Sequence, residues 1–158
     1  MTELPASAQR VAAYAAEYGT AIDVIEYPDG TRSADDAAAA VGCSVDQIVK
    51  SMIFDADGEL VLALTSGANM VDGAALAALA GVAKCGRANA DQVRETTSFA
   101  IGGVPPFGHA SPIRTWIDPH LMSFDQVWAA AGTPRHVFPI APNELVRLAG
   151  ATVADFAQ

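Results

Sequence analysis

Three glycines and two prolines interrupt an apolar, Ala-rich chain in the stretch Phe99-Ala100-Ile101-Gly102-Gly103-Val104-Pro105-Pro106-Phe107-Gly108-His109. Glycine reaches positive φ and lets the backbone approach a ligand closely, whereas each proline fixes φ and removes an N–H donor. The stretch therefore predicts a stiff, shaped loop. Such a loop is either a connection between two strands or one wall of a binding site.

The glycine spacing of this loop resembles a phosphate-binding motif only in part. Gly103 and Gly108 copy the outer glycines of a P-loop, but His109-Ala110 stands where Lys followed by Ser or Thr is required. The two prolines also remove amides that such a cradle would use. The sequence thus argues against a nucleoside triphosphate site.

Composition predicts one globular domain spanning residues 1–158, since 51% of the residues are hydrophobic and 17% are charged. Cys43 and Cys85 form no CxxC pair, and His109, His120 and His136 show no metal-ligand spacing. We therefore expect no metal, no disulfide and no cofactor.

Charge restricts the partners, because nine Lys and Arg residues oppose 18 Asp and Glu residues, for a net charge of −9. Non-specific nucleic-acid binding depends on neutralising phosphates, so we expect no DNA partner and only local contacts with any RNA. The N-terminal residues lack the features of a signal peptide, and no apolar run is long enough to cross a bilayer. We expect a cytoplasmic protein with no membrane partner.

Helix and strand signals are mixed irregularly along the chain. Capping residues and glycine stops predict helices over 5–19, 33–42, 72–81, 90–95 and 142–150. Apolar alternation predicts strands over 22–27, 48–54, 59–65, 82–85, 114–118, 124–130 and 136–140, with a turn at Pro28-Asp29-Gly30. No βαβ unit repeats, so the predicted class is α+β, with a mixed sheet or partly closed barrel surrounded by helices.

Lys50 is one of only two lysines, and it interrupts an apolar run from Ile48 to Phe54. On a strand it would share a face with Ile48, Met52 and Phe54. Its ammonium group must find partners, reach water at a sheet edge or face a cavity. The last alternative makes Lys50 a candidate site residue.

Two segments together resemble the YbaK/prolyl-tRNA-synthetase-associated editing domains. Asp46-Gln47-Ile48-Val49-Lys50-Ser51 is similar to the family's lysine-bearing strand, and the segment from Thr96 to His109 is similar to its glycine-rich loop. Trp116-Ile117-Asp118, the turn at Gly132 and the last helix follow in the family's order. The chain departs from the pattern at Pro105, where a small hydroxyl residue is common. It departs again at Val137, where the cysteine-editing branch carries an acidic residue.

The resemblance implies an aminoacyl-tRNA deacylase that acts in trans, without a metal, on the acceptor end of a mischarged tRNA. Proline tRNA carrying a small amino acid is the first candidate substrate, and an aminoacyl-tRNA synthetase is a candidate partner. The resemblance implies that Lys50 contacts the phosphate of the terminal adenosine or the ester. It also implies that the backbone of Gly102 and Gly103 holds the ester carbonyl, so that an added methyl would impair activity before stability.

The implied substrate-binding residues are Tyr27, Ser51, Met52, Thr65, Val104, Pro106, Phe107, Gly108 and His109. The candidate local contacts with tRNA are Lys50, Lys84, Arg87, Arg94 and Arg114. Two alternatives stay open. One is a non-catalytic module that binds tRNA ends or aminoacyl-adenylate-like ligands, and the other is a hydrolase that uses Cys43 or Cys85 as its nucleophile.

Overall fold

The computed structural model describes residues 4–27 and 33–157, which form five α-helices and eight β-strands. The helices are α1 (Ala6–Glu17), α2 (Ala34–Val41), α3 (Gly73–Ala80), α4 (Ala90–Thr97) and α5 (Pro142–Ala149). The strands are β1 (Ile25–Glu26), β2 (Val49–Ala56), β3 (Glu59–Ser66), β4 (Gly86–Arg87), β5 (Arg114–Ile117), β6 (Val127–Ala130), β7 (His136–Ile140) and β8 (Thr152–Val153). Short 3-10 helices cover Val45–Gln47 and Pro119–Ser123.

The strands form two sheets. The larger has the order β4-β2-β3-β5-β8 and is mixed, because β2 and β3 form an antiparallel hairpin while β3 and β5 run parallel. The smaller has the order β1-β7-β6 and is antiparallel. An isolated parallel bridge between Ile48 and Trp128 joins the sheets at one point, and they do not close into a barrel. The α+β class is confirmed, with two open sheets as its form.

Strand β3 explains how the layers pack, because it is buried on both faces. Leu62 and Leu64 face a core that β2, both sheets, α1 and α5 share. Val61 and Ala63 face a second core, formed with α3. A strand without a solvent face reads as a continuous apolar run, as residues 60–64 do. A third, smaller cluster packs α2 on Ile48.

Local side-chain signals set the helix ends as the sequence predicts. Ser33 Oγ accepts the Asp36 N–H at 3.1 Å, and the Asp72 carboxylate accepts two N–H groups at the start of α3. Asn89 and Gln92 form a reciprocal capping box at the start of α4. These ends depend on residues within four positions of one another, which is why the sequence alone reveals them.

Short strands are where the sequence predictions differ from the structure. The strand predicted over 82–85 is wrong, because β4 lies at Gly86–Arg87, where it pairs with Asp55 and Phe54 of β2. The strand predicted over 22–27 shrinks to β1, which pairs with only two residues of β7. Strand β8 was not predicted at all. The turn predicted at Pro28-Asp29-Gly30 lies outside the described residues.

Within the described residues, no helix combines the length and the apolar character needed to span a bilayer.

Candidate functional site

A cavity of about 430 Å³ lies beside β2, between the two sheets. Because β4 pairs with β2 only at Phe54 and Asp55, the first half of β2 has no partner strand on that side in the described chain. Lys50, Ser51 and Met52 line the cavity from β2. Gly102 and Val104 line it from the glycine loop, the name used here for residues 99–109. Other lining residues from α2, β6 and β7 are Ala34, Ala37, Val41, Trp128, Ala130 and Val137.

Lys50 is a half-buried residue whose head group is held at the cavity wall. Its Nζ donates a hydrogen bond to the backbone oxygen of Asn69 at 2.6 Å. Burial lowers the pKa of the Lys50 ammonium, the nearby Asp118 carboxylate raises it, and Arg87 lowers it again. The structure thus brings the predicted lysine to the cavity, with one of its three N–H donors committed.

Asp118 holds the loop against which Lys50 rests. It is 2% exposed, and its Oδ2 accepts the backbone N–H of Ser66 at 3.1 Å and the Asn69 side-chain amide at 2.8 Å. Its Oδ1 accepts the backbone N–H of His120 at 2.9 Å. The sequence showed Asp118 only as the end of the Trp116-Ile117-Asp118 segment. A carboxylate directly after a buried strand was the available signal for such a role.

Ser51 supplies an unpaired polar atom to the site. Its Oγ is buried and has no hydrogen-bond partner among the described residues. Ser51 lines both the main cavity and a side pocket of about 40 Å³, whose other walls include Ile53, Ala88 and Val93. Buried hydroxyls in proteins are nearly always paired, so the unpaired Oγ is an exception at the cavity wall.

The two glycines of the predicted catalytic pair have different surroundings. Gly102 lines the cavity with a φ of +95°, and its N–H forms no hydrogen bond within the described chain. The N–H of Gly103 donates to the Ala100 oxygen at 3.0 Å. A Cβ on Gly103 would lie 2.7 Å from the Cα of Thr133, so this glycine lets two backbone segments touch. We therefore expect a methyl on Gly103 to lower stability as well, which differs from the expectation that activity is impaired first.

The glycine loop turns its C-terminal half toward the protein interior. The Phe107 ring is 2% exposed and packs against Tyr14 and Phe138, with centroid distances of 5.4 and 5.6 Å. Gly108 lies against Tyr14, and Pro106 is buried. None of these three loop residues lines the cavity. Their apolar character, which suggested a pocket wall, is used instead to anchor the loop on the core.

His109 stabilises the same loop from within. Its Nε2 donates to the Pro105 oxygen at 2.7 Å, which assigns the ring proton to that nitrogen. Burial lowers the pKa of the His109 imidazole, and the bond to Pro105 partly opposes this shift. His109 does not line the cavity, and its ring contacts the loop backbone instead.

Thr65 and Tyr27 also lie away from the cavity lining. Thr65 is opposite Lys50 in the β2–β3 pairing, but it is fully buried and its hydroxyl donates to the Ala63 oxygen at 3.2 Å. The backbone N–H of Tyr27 donates to the Arg135 oxygen at 2.7 Å, which extends the pairing of β1 with β7. Cross-strand proximity to Lys50 therefore does not bring Thr65 into the cavity lining.

Positive charge at the cavity mouth comes from Arg87. This exposed residue of β4 lines the main cavity, the side pocket and an outer groove. The outer groove also contains Lys84, but Asp55 and Asp57 line it too and oppose a phosphate there. Arg114 is engaged elsewhere, since it pairs with Glu59 at 2.8 Å and donates to the Ala80 oxygen.

The two thiols are placed as structural groups. Cys43 Sγ donates to the Ser44 oxygen at 3.3 Å, and Cys85 Sγ donates to the Gly73 oxygen at 3.2 Å. Burial raises the pKa of both thiols, which disfavours the nucleophilic thiolate. Within residues 4–27 and 33–157, no cluster of His, Cys, Asp and Glu is arranged to hold a metal ion.

Comparison with known proteins assigns this architecture to a family. The family model for the aminoacyl-tRNA editing domain matches residues 28–148. A solved structure described as a proposed trans-editing enzyme for prolyl tRNA synthetase superimposes with a TM-score of 0.93 at 43% identity, covering 99% of each chain. The protein YwhH of Bacillus subtilis (strain 168), which is uncharacterized, is 30% identical over 124 residues, 78% of either chain.

Part of this chain is also similar to a segment of a longer protein. The proline–tRNA ligase of Nitratidesulfovibrio vulgaris (strain DP4) is 32% identical over 92 residues, which are 58% of this chain and 16% of the ligase. The matched region of the family model contains β2 with Lys50 and the whole glycine loop. The chain therefore belongs to the aminoacyl-tRNA editing domain family.

Proposed function

We propose that this protein is an aminoacyl-tRNA deacylase, which hydrolyses the ester of a mischarged tRNA in trans. Proline tRNA carrying a small amino acid is its first candidate substrate. The observation that carries the proposal is the cavity that Lys50 and Gly102 line within a chain of the editing family. The likeness to a proposed trans-editing enzyme for prolyl tRNA synthetase supports the choice of tRNA.

Hydrolysis of an aminoacyl ester requires the protein mainly to position the substrate. An aminoacyl ester is already reactive, so orientation and stabilisation of the developing oxyanion can supply the rate enhancement. After its bond to Asn69, the Lys50 ammonium retains two N–H donors for the ester oxygen or the phosphate of the terminal adenosine. The Gly102 N–H forms no hydrogen bond within the described chain and belongs to a residue that lines the cavity, and it is the second proposed donor. A water molecule attacks the carbonyl and the bond from the acyl carbon to the ribose oxygen breaks. The proton from the water passes to that ribose oxygen, directly or through the neighbouring ribose hydroxyl, so that free amino acid and deacylated tRNA are the products.

Selection of the amino acid is assigned to the side pocket. Its volume of about 40 Å³ suits a short side chain, since one water needs roughly 10–15 Å³ of such space. Its small size admits short side chains and excludes larger ones by overlap, which is how a second sieve selects its substrates. Ser51, whose Oγ is unpaired within the described chain, is one of the polar residues that line this pocket.

Arg87 is proposed to make the local contact with the acceptor strand. It is exposed and lines the cavity, so we expect it to meet the phosphate that precedes a bound terminal adenosine. A single contact of this kind is compatible with a net charge of −9, because the rest of the tRNA can stay clear of the acidic surface. We do not expect Arg114 to contact the tRNA, because its guanidinium is already paired with Glu59.

A panel of mischarged tRNAs tests the proposed function. Proline tRNA and two other tRNAs would each be charged with alanine, serine, cysteine, valine and their cognate amino acid. We expect rapid deacylation of the small residues on proline tRNA and little loss of valine or proline. If high enzyme concentration deacylates none of them, the enzyme proposal is wrong. Protection of the ester under those conditions would indicate a binding module.

A further inference from the structure

We propose that Asp118 is a positioning residue that holds the Lys50 ammonium at the cavity wall through Asn69. The inference rests on the proposed function of Lys50, but its geometry is independent of the substrate. Asp118 lies 68 positions after Lys50 in the sequence, and nothing in the local pattern around either residue connects them.

The carboxylate of Asp118 is a fixed acceptor. It follows β5, whose parallel pairing with β3 continues in the bond from the Asp118 N–H to the Leu64 oxygen at 2.8 Å. The backbone N–H of Ser66 donates to its Oδ2 and the backbone N–H of His120 donates to its Oδ1. A buried carboxylate with several N–H donors keeps one orientation, because any rotation would leave a charged oxygen unpaired.

The third donor to Asp118 is Asn69, which also contacts Lys50. The Asn69 side chain donates to Asp118 Oδ2 at 2.8 Å, and the backbone oxygen of the same residue accepts Lys50 Nζ at 2.6 Å. One half-buried residue thus joins the carboxylate to the lysine. The ammonium of a lysine can occupy many positions, because its four-carbon stem is flexible. A hydrogen bond to one fixed acceptor therefore restricts its position strongly.

The charged groups near Lys50 act in opposite directions. The Asp118 carboxylate favours the protonated ammonium, whereas Arg87 at the cavity mouth disfavours it. Behind Asp118, the His120 ring is paired with Asp46, with 2.7 Å between Nε2 and Oδ2. Replacing Asp118 by asparagine should therefore lower the pKa of Lys50 and loosen its anchor. Removing the Asn69 side chain should loosen the anchor while leaving the carboxylate charge in place.

Because the chain has only two lysines, the state of the Lys50 ammonium can be observed directly. Protein labelled with ¹³Cε-lysine gives two signals, from Lys50 and Lys84, which the variants K50R and K84R assign. In D118N we expect Lys50 to lose its proton at a lower pH, with Lys84 unchanged. The deacylation kcat should fall about tenfold with little change in KM, the scale of one lost bond to a charged group. E59Q is the matched control, since Glu59 pairs with Arg114 and should affect neither signal.

A second variant covers the case in which D118N does not fold. N69A should lower kcat by a similar factor and increase the mobility of Lys50 Cε in ¹³C relaxation, with a smaller effect on its titration. If D118N folds and keeps the wild-type kcat and Lys50 signal, the positioning role is wrong. If D118N does not fold, the same result for N69A shows that the positioning role is wrong. If the Lys50 signal shifts as expected while wild-type protein deacylates no tRNA, the proposed function fails and the positioning role stands.

Discussion

Gly103→Ala is expected to destabilise the protein, because the new methyl would enter a backbone contact. A Cβ at this position would lie 2.7 Å from the Cα of Thr133 and 2.9 Å from its N and C atoms. The glycine loop and the turn after β6 must therefore separate by roughly 0.7 Å or more to restore ordinary van der Waals contact. Both segments are attached to the core, through Phe107 and Ala131, so neither moves freely.

Overpacking of this kind costs about 1–3 kcal/mol. For a chain of this size, a loss of about 2 kcal/mol lowers the Tm by roughly 4–8 °C. Thermal unfolding followed by circular dichroism measures this shift. Gly86→Ala is the matched control, since a Cβ there meets no atom within 4 Å and Gly86 does not require a positive φ. If Gly103→Ala melts within about 1 °C of that control, the contact between the loop and the turn is not what the structure indicates.

Three further predictions concern the cavity and its supports. Ser51→Ala should slow deacylation and leave the free energy of unfolding in urea within about 1 kcal/mol of wild type. A larger loss of stability would show that Oγ has a protein partner. Arg87→Ala should reduce the slope of log Kd for tRNA against log salt by about 0.7, whereas equal slopes for Arg87→Ala and the control Arg114→Ala would exclude a phosphate contact. Burial lowers the pKa of folded His109 below its unfolded value of 6.5, so the unfolded chain takes up the proton first and stability falls as the pH drops below about 6.5. His109→Gln, which keeps a donor for Pro105, should lose less stability in urea between about pH 7.5 and pH 5, and equal losses would contradict this.

Features that depend on neighbouring residues could be predicted from the sequence. The caps at Ser33, Asp72 and Asn89 work within a single helical turn, and the β2–β3 hairpin is closed by Asp57 and Gly58. Lys50 was also identifiable, because a charge within an apolar strand requires an explanation. The structure places it in a cavity wall, half-buried.

The sequence did not show which residues of the glycine loop line the cavity and which pack on the core. Phe107 and His109 belong to the same motif as Gly102, yet Phe107 packs on Tyr14 of α1 and His109 on Phe99, while Gly102 lines the cavity. Which side of an irregular loop meets a cavity depends on what packs behind it, here Tyr14 and Phe138. No periodicity within the loop carries that information.

The support of Lys50 was likewise invisible in the sequence. Asn69 and Asp118 are 49 residues apart and meet because β3 and β5 pair in parallel. Two-residue strands such as β4 and β8 show no alternation, since their positions are set by the strands they pair with. Tertiary pairing of this kind decides both the short strands and the environment of the lysine.

The most direct test of the central claim is the single-turnover deacylation rate of the best mischarged tRNA with wild type, Lys50→Ala and Lys84→Ala. Lys84 is the matched control, because it is the other lysine and lies in the outer groove with Asp55 and Asp57. We predict a rate at least about tenfold lower for Lys50→Ala and a wild-type rate for Lys84→Ala. A wild-type rate for folded Lys50→Ala would contradict the assignment of the cavity as the deacylation site.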